Sequence, residues 1–191
     1  MSEPLPLDGV VRKLWPTEAA AYRDHLLHLD RESRNTRFSG AVSDEFVDKH
    51  AHSISDFGVI VYGFFVDGTL RGAGELRPVG PLFSHEGEAA FSIEKDWQSH
   101  GVGTALLERI LLSARNRGIR LLRMDCLAGN QRMQQLARKF EADFSFEFGS
   151  IVGEVKAPRY TPLSLALEAV EDAHGIATSM LEAQMRLFKV A

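Results

Sequence analysis

The sequence predicts an α+β (mixed α/β) fold: a mixed, mostly antiparallel sheet flanked by helices, with a C-terminal helical extension. Three observations carry that expectation. Segments rich in Val, Ile, Tyr and Phe concentrate between Phe57 and Glu94, two of them joined by the hairpin signal Asp67-Gly68. A helix with apolar residues four apart, Gly101 to Arg117, then leads into a strand and a further helix, the order of a β-α-β crossover. After Thr161 the pattern is helical throughout.

Each element has a local cause. Val10 to Trp15 reads as a short strand punctuated by Pro16-Thr17-Glu18, and Thr17 to Leu29 as a helix with Ala19, Tyr22, Leu26 and Leu29 near a 3.6-residue period. Asp30 to Gly40 is polar and reads as a connection, and Ser43 to His52 is a helix with Ser43 or Asp44 as N-cap. Phe57 to Val66 and Thr69 to Val79 form the hairpin, Gly80-Pro81 begins a loop, and Glu88 to Glu94 is the next strand. In the following helix Val102, Leu106, Ile110 and Ala114 share a face, and Gly118 stands where a left-handed residue ends a helix. Ile119 to Leu127 is a strand, Asn130 to Phe140 a helix, and Phe144 to Val155 one or two closing strands.

Thr161-Pro162 then forms an N-cap and first-turn pair. Leu163, Leu167, Val170, Ala177, Leu181 and Phe188 mark one apolar face, with Gly175 as a point where the helix bends or splits. The expected organisation is a domain over residues 10–157 and a helical extension over 158–191. The extension packs back on the domain or onto a second subunit, so the chain is a monomer or a homodimer through its C-terminal helix.

Composition narrows the function. The 191 residues carry 22 Lys+Arg against 26 Asp+Glu, a net charge of −4, which argues against a nucleic-acid binder. Hydrophobic and charged contents of 45% and 25% are those of an ordinary globular chain. The single Cys126 cannot form an internal disulfide, and no Cys cluster supports a metal site. No apolar run is long enough to cross a bilayer, and Met1-Ser2-Glu3-Pro4 lacks the form of a signal peptide. The expectation is a soluble cytoplasmic protein with no membrane partner.

The chemistry is expected at Gln98-Ser99-His100-Gly101-Val102-Gly103-Thr104, which joins a strand to a helix. Glycines there let several N–H groups point at one spot, and the helix dipole adds positive potential, so the loop reads as an anion site for a phosphate. The bland alternative is a glycine pair that only eases a helix start. A dinucleotide fingerprint fits poorly. Asp125 lies 22 residues beyond Gly103 as such a site requires, but Leu106 occupies the third glycine position and the polar segment Glu94 to Ser99 separates strand from loop.

These features resemble the GNAT superfamily of acetyl-CoA-dependent N-acyltransferases, over about Val10 to Lys156. The resemblance rests on the strand Ala89 to Ile93, the loop Gln98-x-x-Gly101-x-Gly103 with Thr104-Ala105-Leu106-Leu107, the strand Leu121 to Leu127, and Asn130 opening the next helix. It implies acetyl-CoA as acyl-donor substrate. The backbone of Phe91, Ser92 and Ile93 would pair with the pantetheine arm. The amides of Ser99, His100, Gly101, Val102, Gly103 and Thr104 would hold the pyrophosphate, and Asn130 would touch the cofactor arm. The helix Asn130-x-x-Met133-x-x-Leu136-Ala137-Arg138-Lys139-Phe140 and the element Arg34-x-x-Arg37-Phe38 are similar to those of bacterial protein-lysine acetyltransferases. Many family members place a general-acid Tyr where this chain has Ala137, and the usual Gly-Phe after the helix is replaced by Glu141-Ala142-Asp143-Phe144.

The resemblance implies acetyl transfer to a primary amine, with a protein lysine as one acceptor. The alternatives are a small-molecule amine acetyltransferase, or a non-catalytic acyl-CoA-binding or interaction module. A lysine-like amine has a pKa near 10.4, so at pH 7 only about one molecule in 2,500 is nucleophilic, a barrier of roughly 4.6 kcal/mol. A positioned carboxylate therefore has a clear task. Glu88 stands ten residues before Gln98, where the similar lysine acetyltransferases carry their catalytic Glu. It alternates in phase with Ala90 and Ser92, while Ala89, Phe91 and Ile93 face the other way. Glu75 on the neighbouring strand is the main competitor and Glu86 the next. His25, His28, His50 and His52 read as ordinary surface histidines, Arg31, Arg34 and Arg37 as a solvated charge run, Trp97 as a packing residue, and Cys126 as buried and inert.

Overall fold

The computed structural model describes residues 9–81, 84–147 and 150–190; the N-terminal Met1-Ser2-Glu3-Pro4 segment lies outside them. Seven strands form one sheet: β1 (Gly9–Lys13), β2 (Ile60–Val66), β3 (Thr69–Val79), β4 (Glu86–Ile93), β5 (Leu121–Leu127), β6 (Asp143–Glu147) and β7 (Ser150–Lys156). Their order is β1-β2-β3-β4-β5-β7-β6, and every pairing is antiparallel except β4 with β5. The helices are α1 (Ala19–His28), α2 (Arg31–Arg37), α3 (Asp44–His52), α4 (Val102–Asn116), α5 (Gln131–Lys139) and α6 (Pro162–Val190). The expected mixed, mostly antiparallel sheet with flanking helices is the observed fold. Among the described residues, no helix is long and apolar enough to cross a membrane.

Local chemistry explains most boundaries. Asp67 and Gly68 have φ of 49° and 68°, the two left-handed residues of a hairpin turn, so Val66 pairs with Thr69. The Ser43 side chain accepts from the Phe46 N–H and starts α3. Gly118 closes α4 at φ 75°.

Several expectations are corrected. The first helix is preceded by a separate 3₁₀ turn over Pro16–Glu18, where Pro at the start fixes the tighter geometry. The strand read from Phe57 begins only at Ile60, because Gly58 turns the chain at φ 81°. Asp30 to Gly40 is no simple connection but holds α2, which lacks an apolar face; Asp30 caps it by accepting from the Glu32 and Ser33 N–H groups. Both closing strands exist, and the later one, β7, inserts between β5 and β6. Gly175 neither bends nor splits α6. It lets the helix approach β1 closely, since a Cβ there would come within 2.9 Å of the Arg12 Cβ.

The sheet divides two apolar layers. On one face Leu106, Leu107, Ile110 and Ala114 of α4 pack against Tyr62, Phe64, Leu76 and Leu122. On the other, Tyr22 and Leu26 of α1 and Val47 and Ala51 of α3 cover Val61, Phe65 and Ala73. Each such large side chain contributes about 1.5–3 kcal/mol by leaving water. These layers hold the central strands rigidly around the point where β4 and β5 separate.

Candidate active site

β4 pairs with β3 along its whole length, from Glu86 to Ile93, but with β5 only from Glu86 to Glu88. β5 meanwhile stays paired with β7 from Leu121 to Leu127. The edges of β4 beyond Glu88 and of β5 beyond Arg123 therefore face each other without forming a ladder. Backbone N–H and C=O groups on such edges require another partner. A cleft of about 970 Å³ opens between them, lined among others by Phe91, Ser92, Asp125, Asn130 and Leu136, with Arg37 of α2 on its wall.

The glycine loop lies along this cleft. Ser99 and Gly101 adopt φ of 63° and 76°, and left-handed residues interspersed with ordinary ones turn successive N–H groups toward one side. α4 begins at Val102 with no side-chain cap and no acidic residue in its first turn, so its N-terminal N–H groups and positive dipole end remain available to an anion. Val102 itself points into the core, Thr104 is buried in the first turn, and Gly103 lies against Leu136 and Ile93.

The Gln98 side chain is used within the protein: its Nε2 donates to the Ile93 carbonyl at 2.8 Å, and its Oε1 accepts from Arg132 at 2.5 Å. It ties the loop to the end of β4 and occupies one of the backbone carbonyls expected to face pantetheine. His100 Nδ1 lies 2.7 Å from the Gln98 carbonyl, and Asn130 caps α5 by accepting from the Met133 N–H at 3.1 Å. The loop residues, Phe91 to Ile93 and Asn130 are thus gathered around one cleft.

The two candidate carboxylates occupy the same sheet face in opposite environments. Glu88 is exposed at the apex where the strands part, paired across β3 with Arg77 and across β5 with Arg123. Its charge is felt at the Arg37 guanidinium. Glu75 is 2% exposed and surrounded. Its Oε2 accepts from Tyr22 at 3.1 Å and from Arg37 at 2.5 Å, lies 3.0 Å from His50 Nε2, and Arg77 ion-pairs with its other oxygen. Burial alone would raise its pKa, but His50 and the charges of Arg37 and Arg77 outweigh it and draw it down to about 2. Burial and the facing Glu75 charge push the Tyr22 phenol up.

This cluster overturns two sequence expectations. Arg37 is not part of a solvated run but a nearly buried partner of Glu75, and His50 is not a surface histidine. Phe38 and Phe46 pack against the His50 ring, at 5.3 Å and 6.3 Å between centroids. His25 is also buried. Its Nε2 lies 2.9 Å from Ser92 Oγ and its Nδ1 3.5 Å from Glu94, which Arg71 holds at 3.0 Å. The Ser92 hydroxyl on the cleft wall is therefore fixed from behind by a histidine and a carboxylate. Helix spacing carried a signal for both: His25 stands three residues after Tyr22 and four before Leu29, and His50 three after Val47 and four before Ile54, on the buried faces. Cys126 is buried, and burial with the neighbouring Asp125 raises its thiol pKa, which keeps it protonated. Trp97 packs on Phe64 at 5.7 Å, as expected of a core residue. Among the described residues no His/Cys/Asp/Glu group is arranged to hold a metal.

A strand fork with an anion loop at its mouth is a specific geometry, and the chain's sequence carries a matching signature. The model of the GNAT acetyltransferase family matches residues 23–141. The chain belongs to the GNAT acetyltransferase family. No curated protein matches the sequence. Among solved structures, the GNAT domain of S. lividans PAT is 25% identical at a TM-score of 0.68, over 76% of this chain and 89% of that one. The yncA protein of Salmonella typhimurium, solved with its cofactor acetyl-CoA, is 14% identical at 0.61, over 81% and 96%. A GNAT-family acetyltransferase from Streptococcus pneumoniae is 21% identical at 0.59, over 76% and 96%. The fold of this chain is that of the GNAT proteins.

Proposed function

We propose that the protein transfers an acetyl group from acetyl-CoA directly to a primary amine, with a protein lysine as the favoured acceptor. One observation carries this reading: β4 leaves β5 just after Glu88, so an exposed carboxylate stands at the apex of a cleft whose far end is the uncapped start of α4. The free edge of β4 offers the amide pantetheine arm a strand to pair with, and the loop N–H groups offer the pyrophosphate its donors.

Within this reading Glu88 accepts the proton as the amine attacks the thioester carbonyl; the C–N bond forms, the C–S bond breaks, and CoA leaves as a thiolate that takes a proton from solvent, while the cationic surroundings of Arg37 and Arg77 hold the acceptor side of the sheet rigid. An acetyl-Cys126 intermediate is disfavoured, because the thiol is buried and its pKa raised. The lysine preference rests on the similarity of the Asn130–Phe140 helix and the Arg37-Phe38 element to lysine acetyltransferases. Intact-mass analysis of lysate proteins and of an amine panel after incubation with acetyl-CoA tests the acceptor. Acetylated protein lysines are expected; labelling of small amines alone would replace this acceptor with a metabolite.

The donor site is tested at Gly103. A Cβ there meets only ordinary contacts, with Leu136 and Ile93 at 3.4 and 3.5 Å, so Gly103→Asp is compatible with the fold. It places a carboxylate in the first turn of α4, where the dipole welcomes it and where the pyrophosphate would bind. Calorimetry should show acetyl-CoA affinity reduced at least about tenfold, the equivalent of about 1.4 kcal/mol. Unchanged affinity would move the pyrophosphate site elsewhere.

A further inference from the structure

α6 faces the body of the protein with its polar side. Glu168 is buried and accepts from Ser113 at 2.6 Å, Asn116 at 2.8 Å and Arg117 at 2.6 Å. Glu171 ion-pairs with Arg109, Asp172 lies 3.7 Å from Lys13, and Gly175 rests on Arg12. A helix on a globular domain ordinarily turns its leucines inward and its charges out. Here the order is reversed. Leu163, Leu165, Leu167, Val170, Met180 and Leu181 are 46–79% exposed, with four exposed alanines between them. Among the described side chains from Leu163 to Gln184, the exposed ones include no charged residue, and only His174 and Gln184 are polar.

The spacing of this face identifies what covers it. Leu163, Leu167, Val170, His174, Ala177, Leu181 and Gln184 recur at alternating intervals of four and three, the 3.5-residue average of a helix seam that packs against another helix. We infer that the outer face of α6 is the interface of a homodimer, in which the same helix of a second copy lies against it about a two-fold axis. With no charge among the exposed, described side chains to select a different partner, the strip complements itself: apolar residues meet apolar residues, and His174 and Gln184 are the polar positions that set register.

The dimensions suit this. From Leu163 to Gln184 the strip is about 33 Å long at 1.5 Å per residue. A stable interface takes about 800 Å² from each partner, and the five large apolar side chains on this side (Leu163, Leu167, Val170, Met180 and Leu181), with His174, Gln184 and the alanines, approach that without another element, Leu165 lying on the opposite side of the helix. An exposed apolar patch beyond a few hundred Å² on a lone chain is unusual. A membrane surface fits less well, because interfacial helices carry Lys and Arg on the polar side, whereas α6 carries Glu168, Glu171 and Asp172 there.

Sedimentation of the full chain at micromolar concentration should give twice the chain mass. Leu167→Glu with Leu181→Glu alters only exposed positions, so the helix stays docked through Glu168. The double variant should be monomeric, with the dimer dissociation constant raised at least about a hundredfold and far-ultraviolet circular dichroism unchanged. A monomeric wild type overturns the inference, as does a double variant that dimerises as tightly as wild type, or a wild type that floats with anionic vesicles as single chains.

Discussion

Glu88→Gln should lower kcat by about 10²–10⁴ while acetyl-CoA affinity stays near that of wild type. The substitution keeps the shape of an exposed side chain, so stability should hardly move. What it removes is the carboxylate proposed to take a proton from an ammonium acceptor whose free amine is scarce at neutral pH. The loss should shrink as pH rises, because solvent then supplies the neutral amine unaided. Full turnover in Glu88→Gln at neutral pH, together with loss in Glu75→Gln, would assign the base to Glu75 instead.

Glu75→Gln should act on stability. It leaves the Arg37 and Arg77 guanidinium groups facing a neutral amide in a nearly closed environment. Removing one partner of a buried ionic cluster costs about 3–5 kcal/mol, which a shifted urea midpoint at constant slope would report. The pH dependence follows in sign. The folded-state pKa of Glu75 is drawn down to about 2 from an ordinary value of 4.5, so its stabilisation is fully present above about pH 4.5 and is lost as pH falls through about 2. In the variant that contribution is absent, and stability should be flatter across this window. A loss under about 1 kcal/mol, or an unchanged acid profile, would show that the cluster is not held by this carboxylate. A carboxylate with so low a pKa is also a weak base for an amine, which is why the proposed mechanism uses Glu88.

Much of this was legible locally. The Asp67-Gly68 turn, the Ser43 cap, Gly118 at the end of α4 and the glycine loop before it each depend on a few adjacent residues and their backbone preferences. The phase of β4 was legible too, since a strand alternates faces whatever it packs against. α2 was not, because a seven-residue polar helix carries no apolar period; its signal was the pair Asp30 and Ser33, a cap without a stripe.

By itself, then, the sequence determined most of the elements, α2 and the 3₁₀ turn before α1 excepted, the mixed sheet, the loop that opens α4 and the face on which Glu88 stands, because these follow from propensity, period and turn chemistry within a few residues. Only the tertiary structure decided that β4 and β5 separate beyond Glu88, and that Glu75 is closed in while Glu88 is open. Glu75 is held by Tyr22, Arg37 and His50, which lie 53, 38 and 25 residues away along the chain. The orientation of α6 belongs to the same class: its spacing marks an apolar face but cannot say which way that face points. That was settled when Ser113, Asn116 and Arg117 on α4 and the residue after it supplied donors to Glu168. A buried carboxylate must be paired wherever its partners lie in sequence, and meeting that demand left the leucines outside.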